Sequence, residues 1–110
     1  METSSLTSLL TQHLDAARDA SSGRSARTLY GGSGRRLRQT LVALRAGERL
    51  DEHENPGEAT LQVLHGTVRL TAGATSMHGT AGDLLVIPQS RHALEAVEDA
   101  AVLLTVAKPG

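Results

Sequence analysis

The stretch EATLQVLHGTVRLTAG, residues 58–73, decides the fold class. Ala59, Leu61 and Val63 alternate with Thr60, Gln62 and Leu64, a period of two that sends the two sets to opposite faces of a strand. Residues 67–72, TVRLTA, form a second short run of the same kind. Gly66 stands between the two, where a hairpin needs a positive φ. Nothing here repeats at the 3.6-residue spacing of a helix.

The same texture extends in both directions. RLRQTLVALR (36–45) reads as a strand, as do ATSMH (74–78) after Gly73, HALEAV (92–97) and AVLLTV (101–106). LLVIP (84–88) follows the turn pair Gly82-Asp83 and reads as a fully buried apolar strand ended by Pro88, which cannot donate to a ladder. Seven short strands with glycine-marked turns predict an all-β barrel or sandwich. No helical pattern follows residue 23, so βαβ units and a helix-turn-helix are excluded.

Upstream the period changes. Leu6, Leu9, Leu10, Leu14 and Ala17 fall on one stripe of a helix over residues 5–20, with Ser4 or Ser5 to cap its start and Gly23 to suit its end. A helix this short is marginal alone, so the stripe needs a partner. Residues 21–36 read as loops around Thr28-Leu29-Tyr30, and Arg35, Arg36 and Arg38 as a solvated basic face. The chain divides into a helix and linker over 1–26 and a β-barrel domain over 27–110.

Bulk properties narrow the function. The 110 residues suit one domain with a real core, and a net charge of -1 gives no field to attract nucleic acid or an acidic membrane. The absence of cysteine excludes disulfides, thiolate metal sites and cysteine nucleophiles. No apolar run approaches a membrane span and the first residues have no secretory pattern, so the expected location is cytoplasmic. Tyr30 is the single aromatic residue, so any pocket has aliphatic walls and suits a small aliphatic or amphipathic ligand.

Two spaced segments sharpen the fold. The first is Gly47, five residues, His53, one residue, Asn55, then Val63-Leu64-His65-Gly66; the second is Gly82-Asp83, four residues, Pro88, then His92. Together they resemble the two motifs of the cupin superfamily, over residues 37–106. The resemblance implies a double-stranded β-helix, the cupin jelly roll. The chain as a whole is also similar to a group of small actinobacterial-type cupins with no established activity.

In that family a metal is held by two histidines and a glutamate of the first motif and a histidine of the second. His53 matches the first histidine, Asn55 stands at the second, and Ala59 stands at the glutamate, sharing its face with Leu61 and Val63. The longer spacing variant puts Thr60 there instead. Glu58 has the right chemistry, but alternation turns it outward unless Pro56-Gly57 forms a bulge. His92 arrives one residue early in the second motif. Two histidines fall short of the three protein ligands of a catalytic zinc or the two-histidine, one-carboxylate set of non-haem iron.

The remaining polar groups carry less. His65 and His78 flank turns, His13 sits on the polar side of the helix, and Glu95, Glu98 and Asp99 read as surface charge. No nucleophile elbow or phosphate-binding glycine loop is present. The expectation is a non-catalytic small-molecule-binding cupin, a sensor or accessory protein, with a degenerate metal site and no resident cofactor. The alternative is a metal-dependent isomerase or dioxygenase in which His53, His92 and Glu58 hold a divalent transition metal. A further alternative is a structural or interaction protein with a filled barrel. A homodimer is expected, joined through the leucine stripe or an open sheet edge.

Overall fold

The computed structural model describes residues 1–53 and 57–109, excluding the side chains of Glu52 and His53. Helix α1 spans Leu6–Asp19. Nine strands follow among the described residues: β1 (Arg24–Tyr30), β2 (Leu37–Leu44), β3 (Arg49–His53), β4 (Glu58–His65), β5 (Thr67–Ala72), β6 (Thr75–Thr80), β7 (Leu84–Ile87), β8 (His92–Ala96) and β9 (Ala100–Ala107). They form a five-stranded sheet, β1-β2-β9-β4-β7, and a four-stranded sheet, β3-β8-β5-β6, with every pairing antiparallel. This is the expected double-stranded β-helix with a short N-terminal helix.

The core lies between the sheets and follows the alternation read from the sequence. Ala59, Leu61 and Val63 of β4 meet Val42 and Leu44 of β2, Val102 and Val106 of β9, Leu85 and Ile87 of β7, and Val68, Leu70 and Leu94 from the other sheet. Aromatic residues are absent from this core, so its volume is filled by branched aliphatics. Gly66 makes the β4–β5 turn at φ +75°, and a Cβ there would overlap the Asp99 carbonyl. Both the backbone angle and the close approach require glycine.

Two strands lie where the sequence offers no alternating apolar face. β1 covers part of the 21–36 stretch expected to be loop, and it spans residues 26 and 27, where the helix-and-linker division was placed. β3 carries three charged residues, Arg49, Asp51 and Glu52. Both are edge strands, held by backbone pairing to β2 and β8, and an edge does not demand an apolar face. β7 differs in another way. It is not fully buried: Leu85 and Ile87 enter the core, while Leu84 and Val86 point out at 63% and 69% exposure.

Ser5 caps α1 by accepting from the Ser8 N–H, and the helix stops at Ala20 rather than Gly23. Gly23, at φ +67°, instead makes the turn into β1, its N–H donating to the Ala20 carbonyl. The stripe finds its partner within the chain. Leu14 and Ala17 pack on Ala43 of β2 and Ala101 of β9, with Leu10 beside them. Two alanines on the outer face of the sheet let the helix approach closely. Of the two partners open to the leucine stripe, the body of its own domain or a second subunit, the structure shows the first for Leu14 and Ala17. No helix among the described residues is long and apolar enough to cross a membrane.

Candidate functional site

One end of the barrel gathers the residues singled out by spacing. β8 begins there with His92 and β3 ends there with His53, and the β3–β8 register sets the two backbones opposite each other across a local irregularity. His53 is the last residue of β3. Its side chain, Asn55 and the Pro56 half of the predicted bulge lie outside the described residues.

Among the described residues His92 is the one buried polar side chain, 2% exposed. Its Nδ1 lies 2.9 Å from the Ser90 carbonyl. A carbonyl only accepts, so Nδ1 carries the proton and, in the neutral ring, Nε2 carries the lone pair. A backbone carbonyl holding one ring nitrogen in this way is the usual support of a metal-binding histidine.

The opposite wall does not continue that pattern. Arg38, Val106, Ala59 and Ile87 form one cross-strand rung at this end of the five-stranded sheet. Ala59 is buried in the core, whereas Glu58 is exposed. Strand alternation thus turns the β4 carboxylate out of the barrel, as its sequence position implies. Among the described residues no three His, Cys, Asp or Glu side chains come together as a metal set. The described donors do not fit a three-ligand metal: they supply one inward histidine and no inward carboxylate.

Outside the barrel, Glu58 borders a concavity of about 470 Å³ at the rim, where β4 begins and β7 and β9 end. Its walls are Ala59, Val86, Ile87, Pro88 and Ala107, and its polar groups are Glu58, Thr60, Gln89 and Thr105. The sequence indicated aliphatic walls but not a place on the outside of the barrel. Arg38, read from the sequence as part of a solvated basic face, is exposed, and its pairing with Val106 puts it at the level of this rim. The Arg38 Cγ lies against Gly31, where a Cβ would crowd it.

The other candidates have structural roles. Asp99 accepts from Arg18 Nε at 2.7 Å and from the Ala46 amide at 2.8 Å. These bonds, Arg18's first, hold its carboxyl below the usual range, and the pairing raises Arg18. Glu98 accepts from the Thr67 hydroxyl at 2.6 Å, and Glu95 pairs with Arg69. His13 is not simply on the polar side of the helix: its Nδ1 lies 2.7 Å from the Ser25 hydroxyl, joining α1 to β1. His65 and His78 are exposed, as expected.

No protein-family model matches this sequence, and no curated protein does. Solved structures do match. A Streptococcus pyogenes protein of unknown function, SPY1581, is 30% identical over 83% of this chain and 79% of its own, with a TM-score of 0.75. An RmlC-like cupin protein from Desulfovibrio desulfuricans is 25% identical over 76% of this chain and 81% of its own, with a TM-score of 0.67. A cupin superfamily protein from Desulfitobacterium hafniense shares the fold at a TM-score of 0.73 and 20% identity, over 78% of both chains.

Proposed function

The chain belongs to the cupin superfamily, and on that premise we propose that it binds a small amphipathic molecule at the barrel rim, without a complete metal centre and without catalysis. One observation carries this reading. Ala59 occupies the inner wall where the family resemblance implies a metal-binding glutamate, and the carboxylate next to it, Glu58, stands outside. Bringing Glu58 inside would require β4 to slip by one residue, which would also turn Leu61 and Val63 out of the core. The carboxylate instead borders the rim concavity. An aliphatic body would lie over Val86, Ile87, Pro88 and Ala107, and a donor or cationic head group would meet Glu58 with Thr60 or Gln89.

The test has two arms. Elemental analysis of protein purified without chelator or affinity tag should find no stoichiometric transition metal. Titration with short straight-chain alkylamines, followed by backbone NMR shifts, should move residues 58–60, 86–89, 105 and 107, and Glu58→Gln should weaken the response. Shifts confined to other surfaces would overturn the rim reading.

The runner-up is a metal-dependent isomerase or dioxygenase using His53, His92 and Glu58. It is favoured by the His53–His92 register and by the Ser90 carbonyl on His92 Nδ1. One metal per chain, lost in His92→Ala, would establish it. The filled-barrel reading is favoured by the continuous aliphatic core, and it predicts that no alkylamine or related ligand produces shifts at all.

A further inference from the structure

We infer that the outer face of the four-stranded sheet holds a second binding site, which takes a small α-amino acid as its zwitterion. The carboxylate would lie on Arg49 with the Thr71 and Ser76 hydroxyls, and the ammonium group on Glu95. The lining of this site shares no residue with the rim concavity.

Register brings the groups together. Leu50, Leu94 and Leu70 form one cross-strand rung that faces the core. The residues next to them, Arg49, Glu95 and Arg69, therefore face outward. Arg49 stands opposite Glu95 and Glu95 opposite Arg69, a row of positive, negative and positive charge across three adjacent strands. Two residues along, Thr71 stands opposite Ala93 on one side and Ser76 on the other. Ala93 alternates with the inward Leu94, yet it is only 4% exposed. Its short side chain is the floor of a hollow of about 250 Å³, walled by the charged row, the two hydroxyls and Ala74 of the β5–β6 turn. Beside this floor, three steps along β3 from Leu50 to His53 match two along β8 from Leu94 to His92. Such bulges re-aim side chains next to sites.

The charges select the ligand. Arg69 pairs with Glu95, and Arg49 Nε lies 3.4 Å from Asp51. These four charges sum to zero, so they give a simple anion or cation no net attraction. A phosphate would set its charge against Glu95, and a simple amine would meet two guanidinium groups. A zwitterion answers both signs. The Asp51 side chain is 95% exposed, so its pair with Arg49 is weak and Arg49 is able to turn to a carboxylate, which its planar fork holds by two bonds. The Thr71 and Ser76 hydroxyls have no side-chain hydrogen bond among the described residues, which leaves two donors for the same carboxylate. Glu95 accepts from Arg69 at Oε1, and Oε2 faces the task of holding an ammonium group. Ala74 and Ala93, the two apolar members of the lining, suit a short aliphatic side chain.

L-Alanine added to the full chain should shift the backbone NMR signals of residues 49, 69, 71, 76, 93 and 95 in a saturable way. Propionate, which lacks the ammonium group, and ethylamine, which lacks the carboxylate, should each bind this face at least about tenfold more weakly. Arg49→Gln and Glu95→Gln should each lower the affinity for L-alanine at least about tenfold, and Ser76→Ala about threefold. Arg27→Gln, on β1 of the other sheet, should leave it unchanged. These side chains lie on outer faces, and a circular dichroism spectrum like the parent's confirms that each variant folds. Ethylamine also separates this site from the rim, where it should shift residues 58–60 and 86–89 whether or not L-alanine binds here. Propionate or ethylamine binding this face as tightly as L-alanine, an affinity indifferent to Arg49→Gln and Glu95→Gln, or no saturable shift on this face would each overturn the proposal.

Discussion

The two ends of the barrel are built differently. At the end where β4 turns into β5 and β8 into β9, backbone and side chains are tied together closely. Gly66 lies against the Asp99 carbonyl, Asp99 holds both Arg18 of the helix and the Ala46 amide, and Glu98 holds Thr67. Gly47 and Glu48 add backbone bonds to Ala96. The opposite end has a buried histidine, a rim arginine and an open concavity, and its described ties include the Lys108 amide on the Arg36 carbonyl and Gln39 on the Thr105 hydroxyl. The difference teaches a division of labour. Contacts that hold the helix and both sheets in place are concentrated at the closed end, which leaves the other end free for a site.

The sharpest challenge to that division is Gly66→Ala. A left-handed backbone and an overlap with the Asp99 carbonyl should together destabilise the chain by about 3 kcal/mol. That is a fall in Tm of more than about 10 °C in a thermal melt. A melt within about 2 °C of the parent would show that the closed end is not tight.

His92→Ala comes next. Removing a buried ring and leaving the Ser90 carbonyl without its donor should cost about 2 kcal/mol in a denaturant titration. A cost well below that of Asp99 variants would mean that the histidine is not held by the core.

Asp99→Asn should cost about 1 kcal/mol at neutral pH, and the cost should depend on pH. The folded carboxyl lies below its unfolded value, so its contribution is full above about pH 4 and is lost as pH falls through the folded pKa. Melts of parent and variant should therefore differ at pH 7 and converge at strongly acid pH. A difference that stayed constant across that range would remove the carboxylate from the argument.

The smallest effect on stability belongs to Glu58→Gln, within about 0.5 kcal/mol, because the side chain is exposed and makes no described ion pair. Its effect should be on alkylamine binding alone. If it lowered the melt as much as Asp99→Asn, the two ends would not be divided in this way.

Much of this was legible beforehand. The alternation of residues 58–65 names the inner wall, including Ala59, and places Glu58 outside. The glycine and histidine spacing located His53 and His92. What was not legible was the role of Asp99 and His13, since each acts on a residue far away in the chain: Asp99 on Arg18, and His13 on Ser25 of a strand that the sequence does not announce. Nor did the pattern of LLVIP separate a strand buried on both faces from one buried on one face, because apolar residues occupy both.

By itself the sequence determined the fold class, the position of the helix and the inward face of most strands. These follow from local stereochemistry, a side-chain period of two or of 3.6 together with turn residues, and they do not depend on what lies opposite. Tertiary structure alone decided that the helix covers its own sheet, that β1 and β3 exist as edges, and that Leu84 and Val86 face outward. Each of these depends on which distant segment supplies the next strand or the covering layer, and that is settled by backbone pairing and burial across the whole chain.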